Sequence, residues 1–306
     1  VEEAMSACNV AFDLLLATTL PLLGWRAISA RSLERAVVLF IAFNFVSSLA
    51  WTRLDAVDVA LVEAAVSGAV TGALLLSTLR WAEPERATAR TRHGWLHLFV
   101  AMGVLGLLWA VSDLPEQREG LTPLVVASLE QTGVAHPVTA VLLDFRGYDT
   151  LLEVIVLVTA ALAVRIARAT PRRQAAPGPR LLTMFANNLV PVGVLCAAYL
   201  LWAGSRAPGG AFQAGSILAG CGVTLLLSGR IRPPGSTSWH TRAAMLVGPA
   251  VFVAIAAWPL LAGKSLLDYP TGLAGALVFT VELGLALSTG FILFVFFPSP
   301  PRPERA

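Results

Sequence analysis

About nine long apolar runs, each bounded by charge, proline or glycine, dominate the sequence. They lie near 7–24, 34–52, 57–79, 93–111, 149–168, 181–203, 212–229, 243–262 and 272–297. A run of roughly 20 apolar residues is long enough to cross the hydrocarbon of a bilayer as a helix. In lipid only helices and closed barrels satisfy every backbone polar group. These runs are continuous rather than alternating, which excludes a barrel. Only 13% of the residues are charged, where a soluble domain carries about a quarter. The expected fold class is an all-α integral membrane protein with about nine transmembrane helices.

The basic residues test this division. Alternate connections hold Arg26, Arg31 and Arg35, then Arg80, Arg86, Arg90 and Arg92, then Arg165, Arg168, Arg172, Arg173 and Arg180. The series continues with Arg230, Arg232 and Arg242 and ends in the tail with Arg302 and Arg305. The intervening connections hold only Arg53, Arg118, Arg146, Arg206 and Lys264, the one lysine in the sequence. Basic residues mark the cytoplasmic side, so the N-terminus is expected outside and the C-terminus in the cytoplasm. VEEAMSACNV lacks the basic start of a signal peptide, and the first run is read as a retained span.

Two connections depart from the simple zigzag. Residues 112–148 are too long for a turn and are expected to hold one or two short amphipathic or re-entrant helices. Residues 165–180, RIARATPRRQAAPGPR, have a linker composition, and a second seam is RWAEPERATARTR, residues 80–92. The expected modules are 1–82 with three spans, 83–170 with two spans and a long outer connection, and 171–306 with four spans. The tail PSPPRPERA is expected to be disordered.

Three glutamates fall beyond the first residues of expected spans: Glu63, Glu153 and Glu282. An acid at the centre of a membrane helix costs about 2.5–3.5 kcal/mol on insertion scales. Such a group is protonated, paired or turned to a hydrated cavity, and each state suits proton or cation transfer. Glu63, Ser67 and Thr71 recur at a spacing of four beside a stripe of small residues, Ala60, Ala64 and Gly68. Small residues let helices approach closely, so this helix is expected to face protein. Glu63 either carries ions there or joins helices by a hydrogen bond. Glu153 follows Asp149 by four residues, on one face. Asp144 and Arg146 precede Gly147, where an acid–arginine pair could hold a turn against the following helix. These groups serve either translocation or a charged interface, and Glu282, with Thr289 on its face, either translocates or braces a neighbouring helix.

Other features carry less. Cys8, Cys196 and Cys221 have no metal-ligand spacing, and His93 and His97 lack a third ligand. AGSRAPGGAFQAGS, residues 203–216, is glycine-rich but has no phosphate-binding lysine. Trp51, Trp81 and Trp109 near span ends read as an interfacial belt. No cofactor, metal or nucleic acid is expected. The acids have no buried lysine partner, so the chain reads as part of a pathway completed by other subunits.

HPVTAVLLDFRGYDTLLEVIVLVTAALAV resembles the carboxy-terminal region of the large A-type component of Mrp-type multisubunit sodium/proton antiporters and the small E-type component (MbhE) of membrane-bound hydrogenases. DLLLATTLPLLGWRAISARSLERAVVLFIAFNF with DAVDVALVEAAVSGA resembles the hydrogenase D-type component (MbhD), and RAPGGAFQAG with VFTVELG resembles the antiporter B-type component (MnhB). The resemblance implies MbhD-like, MbhE-like and MnhB-like modules fused in one chain. It implies a bacterial or archaeal plasma membrane and partners that include large antiporter subunits related to respiratory complex I. The ions would be sodium and protons. It also implies that Glu63, Glu153, Glu282 and Asp149 serve translocation, with Asp144, Arg146, Ser67 and Thr71 in structural or gating roles. Where the B family commonly has Gly-His-Asn before Ala-Pro-Gly-Gly, this sequence has Gly204, Ser205 and Arg206, so the histidine's role is not carried over. A coupling component of a redox-driven relative and a purely structural scaffold are the alternatives.

Overall fold

The structure is a computed structural model that describes residues 2–79, 94–113, 120–167, 180–233, 238–270 and 272–297. The 80–92 seam falls outside the described residues, as do His93, Trp81, most of the second linker and the tail; the side chain of His97 is also outside them. Every described element is helical.

The first three expected spans are α1 (Glu2–Ile28), α2 (Leu33–Arg53) and a longer rod. That rod is built from α3 (Val57–Val62), a π-helical stretch (Glu63–Thr71) and α4 (Gly72–Leu79). Ser32 opens α2, its hydroxyl accepting from the Arg35 N–H at 3.4 Å. α5 (Gly94–Ser112) follows. The long connection holds α6 (Thr122–Thr132), α7 (Pro137–Ala140) and a second π turn (Val141–Phe145), which leads into α8 (Gly147–Ala167). The short helices expected in 112–148 are thus present. The last region comprises α9 (Arg180–Ala203), α10 (Ala211–Leu227), α11 (Trp239–Ala257), a 3-10 turn (Trp258–Ala262) and α12 (Ala274–Phe296).

All nine expected spans fall on helices. Among the described residues, six stretches are long and apolar enough to cross a membrane: Cys8–Ile28, Leu33–Arg53, Val57–Leu79, Arg180–Ala203, Trp239–Ala262 and Ala274–Phe296. Leu98–Ser112 and Ala211–Leu227 are shorter apolar helices. Gly147–Ala167 spans 21 residues and carries Asp149, Glu153 and Arg165.

α12 is the centre of the last region, packed between α10 and α11 with α8 and α9 behind it. Glycine makes that packing possible. A Cβ on Gly215 would stand 2.9 Å from the Ala286 carbonyl, and one on Gly248 would stand 2.7 Å from Ser288 Cβ. Close backbone approach of this kind substitutes dispersion for the missing hydrophobic drive between helices in lipid. α5 is the opposite case, because all of its described side chains are exposed.

The expected small-residue face is also present. Ala60 and Gly68 are buried, and a Cβ on Gly68 would meet the Phe45 ring at 3.1 Å. The π geometry is not apparent from the sequence. It widens the helix where Glu63 and Ser67 lie, as π segments often do at functional positions. From α2, buried Asn44 donates its Nδ2 to the Ser67 carbonyl at 3.0 Å, and Ser48 donates to the Ala60 carbonyl at 2.8 Å.

Candidate functional site

Asp58, in the first turn of α3, is bonded to two distant parts of the chain. Its Oδ2 lies 2.8 Å from His136 Nε2, and its Oδ1 accepts the Gly209 N–H at 3.0 Å. Its backbone carbonyl faces Gln213 Nε2 at 3.5 Å. One residue therefore ties α3 to the start of α7 and to the turn between α9 and α10. The side chains of Asp58 and His136 are only 16% and 12% exposed.

The α9–α10 turn is held on its other side as well. The Ser205 carbonyl accepts the N–H groups of Ala135 and His136 at 2.8 and 3.1 Å. Thr139 donates its hydroxyl to the Gly204 carbonyl at 2.5 Å. Leu200 O accepts from both Gly204 and Gly210, at 3.1 and 2.9 Å, folding the turn back on its own helix. Gly210 has φ +114°, which demands glycine.

Beneath this turn lies Glu282, 3% exposed within α12. A Cβ on Gly210 would stand 2.9 Å from Glu282 Oε1, and one on Gly204 would stand 3.3 Å from it. Glu282 Oε2 is buried with no hydrogen-bond partner, as are Thr289 Oγ1 and Arg165 Nη1. A cavity of about 720 Å³ opens beside the turn, lined by residues that include Glu130, Ser205, Arg206 and Phe279. The Arg206 guanidinium lies over the Trp202 ring at 5.5 Å.

The other expected site residues are separate from this cluster. Glu63 is half-buried in the π segment and accepts the Ser67 hydroxyl at 3.3 Å. Thr71 ends the same segment. Glu153 is exposed on α8, one turn after Asp149. Arg146 pairs with Asp149 at 2.6 Å, so the acid partner of the turn is Asp149 rather than Asp144. The turn is held further by Thr150, whose hydroxyl donates to the Leu142 carbonyl at 2.6 Å. Asp144 is half-buried near Asp268 and Tyr269. Burial, and then the Asp268 charge, raises its pKa. Burial and the Asp144 charge push the Tyr269 hydroxyl up to about 12. Among the described residues no group of three or more His, Cys, Asp or Glu is placed to hold a metal.

Asp58 and His136 do not stand out in the sequence, because they are 78 residues apart. The signals it offers are an acid in the first turn of a span and a histidine at the start of HPVTAV.

The three parts of the chain that meet here match known families. Residues 18–84 match the MbhD family, the D-type component of MBH, and residues 88–178 match MbhE, its E-type component. Residues 181–297 match MnhB, a domain related to the MnhB component of Na+/H+ antiporter. The chain joins MbhD, MbhE and MnhB-related regions in that order. Asp58 thus belongs to the MbhD region, His136 to the MbhE region, and Gly209, Gln213 and Glu282 to the MnhB-related region. Over 136 residues the chain is 32% identical to the large A-type component of the Na(+)/H(+) antiporter of Alkalihalophilus pseudofirmus, covering 42% of this chain and 17% of that protein. Over 157 residues it is 26% identical to the putative antiporter component mnhA2 of Staphylococcus aureus, covering 50% of this chain and 20% of that protein. These matches reach across only about a fifth of the length of either relative. Among solved structures, a chain of the Mrp complex from Dietzia sp. DQ12-45-1b matches 95% of this chain over 35% of its own length. Its TM-score is 0.76 and its identity 25%. A chain of the membrane-bound sulfane sulfur reductase, an archaeal respiratory membrane complex, shares the fold. Its TM-score is 0.55 at 21% identity, over 68% of this chain and 99% of that one.

Proposed function

We propose that the chain is a multi-pass subunit of an Mrp-type cation/proton antiporter in a bacterial or archaeal plasma membrane, with its N-terminus outside and its C-terminus in the cytoplasm. Its modules run 1–82, 83–170 and 171–306, and its partners include large antiporter subunits. Glu63, Glu153 and Glu282 carry protons or sodium, with Asp149 beside Glu153. Ser67 and Thr71 support Glu63, while Asp144 and Arg146 shape the entrance to α8. What carries this reading is Glu282, a nearly fully buried carboxyl with one oxygen unpaired inside an apolar helix. An ionised carboxylate without a partner is too costly to keep buried, so Glu282 requires a proton or a cation. Glu153 supports the same reading from the surface. An acid on an apolar helix is expensive to leave in hydrocarbon, so in the assembled complex it faces a neighbouring protein or water.

The MBH resemblances favour one alternative, a coupling component of a redox-driven complex. The test is cation-dependent proton flux in everted vesicles carrying the assembled complex with Glu63→Ala, Glu153→Ala or Glu282→Gln. Loss of flux with normal assembly is expected. Normal flux in all three variants leaves only a scaffold. Flux that needs an electron donor identifies the redox-driven relative.

A further inference from the structure

Glu282 and Gln213 offer oxygen atoms to one small space. A Cβ on Gly210 would stand 2.9 Å from Glu282 Oε1 and 3.7 Å from Gln213 Oε1, so glycine keeps a side chain from crowding these oxygens. Both side chains are buried, at 3% and 6% exposure. The amide of Gln213 is oriented by its Nε2, which faces the Asp58 carbonyl and leaves Oε1 turned towards Gly210. Glu282 Oε2 has no donor. The cavity beside the turn is lined by Phe279, one helical turn before Glu282, and by Ser205, which adjoins Gly204, whose Cβ position is 3.3 Å from Glu282 Oε1.

We propose that Glu282 and Gln213 form a binding site for a small alkali cation, sodium foremost, entered through the cavity between α6 and the α9–α10 turn. The proposal rests on the ion-translocating reading above and adds to it a second ligand, an entry route and a charge rule. Carboxylate and amide oxygens are hard donors that suit hard cations. The site holds one negative charge, which a monovalent ion neutralises. A divalent ion would leave a buried positive charge unpaired. When the cation leaves, a proton takes its place on Glu282, so the two ions compete for the same oxygens. Asp58, through its carbonyl, is a positioning residue for Gln213.

Dicyclohexylcarbodiimide, which adds to protonated carboxyls, tests this in membranes containing the intact complex, with the label at Glu282 read by mass spectrometry. Sodium is expected to slow the labelling of Glu282 in a saturable way, and potassium at the same concentration to do so less. Gln213→Leu should raise the half-protecting sodium concentration about tenfold or more, relative to its own sodium-free labelling rate, the loss of roughly one polar ligand. If Gln213→Leu does not accumulate, Gln213→Asn, which retracts the oxygen, should give a rise in the same direction. A Glu282 that never labels, labelling indifferent to sodium, or unchanged protection in the Gln213 variants overturns the proposal. Proton flux in Glu282→Gln is scored separately. Protection without a flux defect keeps the site and removes its transport role; a flux defect without protection does the reverse.

Discussion

Replacing Asp58 by alanine should loosen the junction of the three regions more than any other single substitution within it. Asp58 accepts from Gly209 N–H at 3.0 Å and meets His136 Nε2 at 2.8 Å. A hydrogen bond to a charged group contributes about 1.5–3 kcal/mol. Removing Asp58 loses both contacts, together about 3–5 kcal/mol where the two are not fully additive. At 16% exposure the side chain is little reached by solvent, so Asp58→Ala should cost about 3–5 kcal/mol. His136→Ala leaves the Gly209 bond intact and should cost about 1.5–3 kcal/mol. At about 2–4 °C per kcal/mol for domains of 150–250 residues, Asp58→Ala should lower the melting temperature by roughly 6–20 °C. Fluorescence-detected melting of the detergent-solubilised chain measures both single variants and the double. Since the two single substitutions remove a shared bond, the double variant should lose less than their sum. Losses that add to within about 0.5 kcal/mol would mean that the side chains do not interact, and the latch would be refuted.

Asp144 gives a pH signature. Its pKa is raised by burial and by Asp268, so the folded protein favours the protonated form, and stability falls as pH climbs from the usual carboxyl range through the raised value. Asp144→Asn removes that penalty, so it should melt higher than wild type at pH 8 and show no such gain at pH 4. Asn44→Ala strips the Ser67 carbonyl of a buried donor and should cost about 1–3 kcal/mol, seen as a lower melting temperature. Gly210→Ala forces a side chain into φ +114° and against Glu282 Oε1. It should cost about 1–3 kcal/mol in strain alone. Gly220→Ala, in mid-helix with nothing within 4 Å, should be neutral or slightly stabilising in the same assay.

The helices are legible in the sequence because lipid imposes one rule on every span: a long apolar run closed by charge or a breaker. The face of Glu63 is legible for a related reason, since Ala60 and Gly68 are too small to serve anything but close packing. The π segments are not legible. Glu63–Thr71 is composed of residues that fit an ordinary helix equally well, and the contacts that sustain the wider turn come from Asn44 and Ser48 on another helix. The pairing of Arg146 is ambiguous for the opposite reason. Two acids lie within reach on either side, and the turn geometry chooses Asp149. The glycine-rich turn reads as a turn, but its use becomes visible only once Glu282 is known to lie beneath it.

The π stretch also makes chain length a constraint in its own right. A wider turn contains surplus residues relative to an α-helix, so a one-residue deletion between 63 and 71 would relax it towards ordinary α geometry. Each residue of an α-helix advances about 1.5 Å and turns by about a tenth over a quarter circle. The wider turn absorbs the surplus, so α4 would keep its face to α2, with Gly72, whose Cβ position stands 2.8 Å from Ile41, still at that contact. A one-residue deletion between 63 and 71 can therefore be absorbed, whereas an insertion there would add to a turn that is already wide.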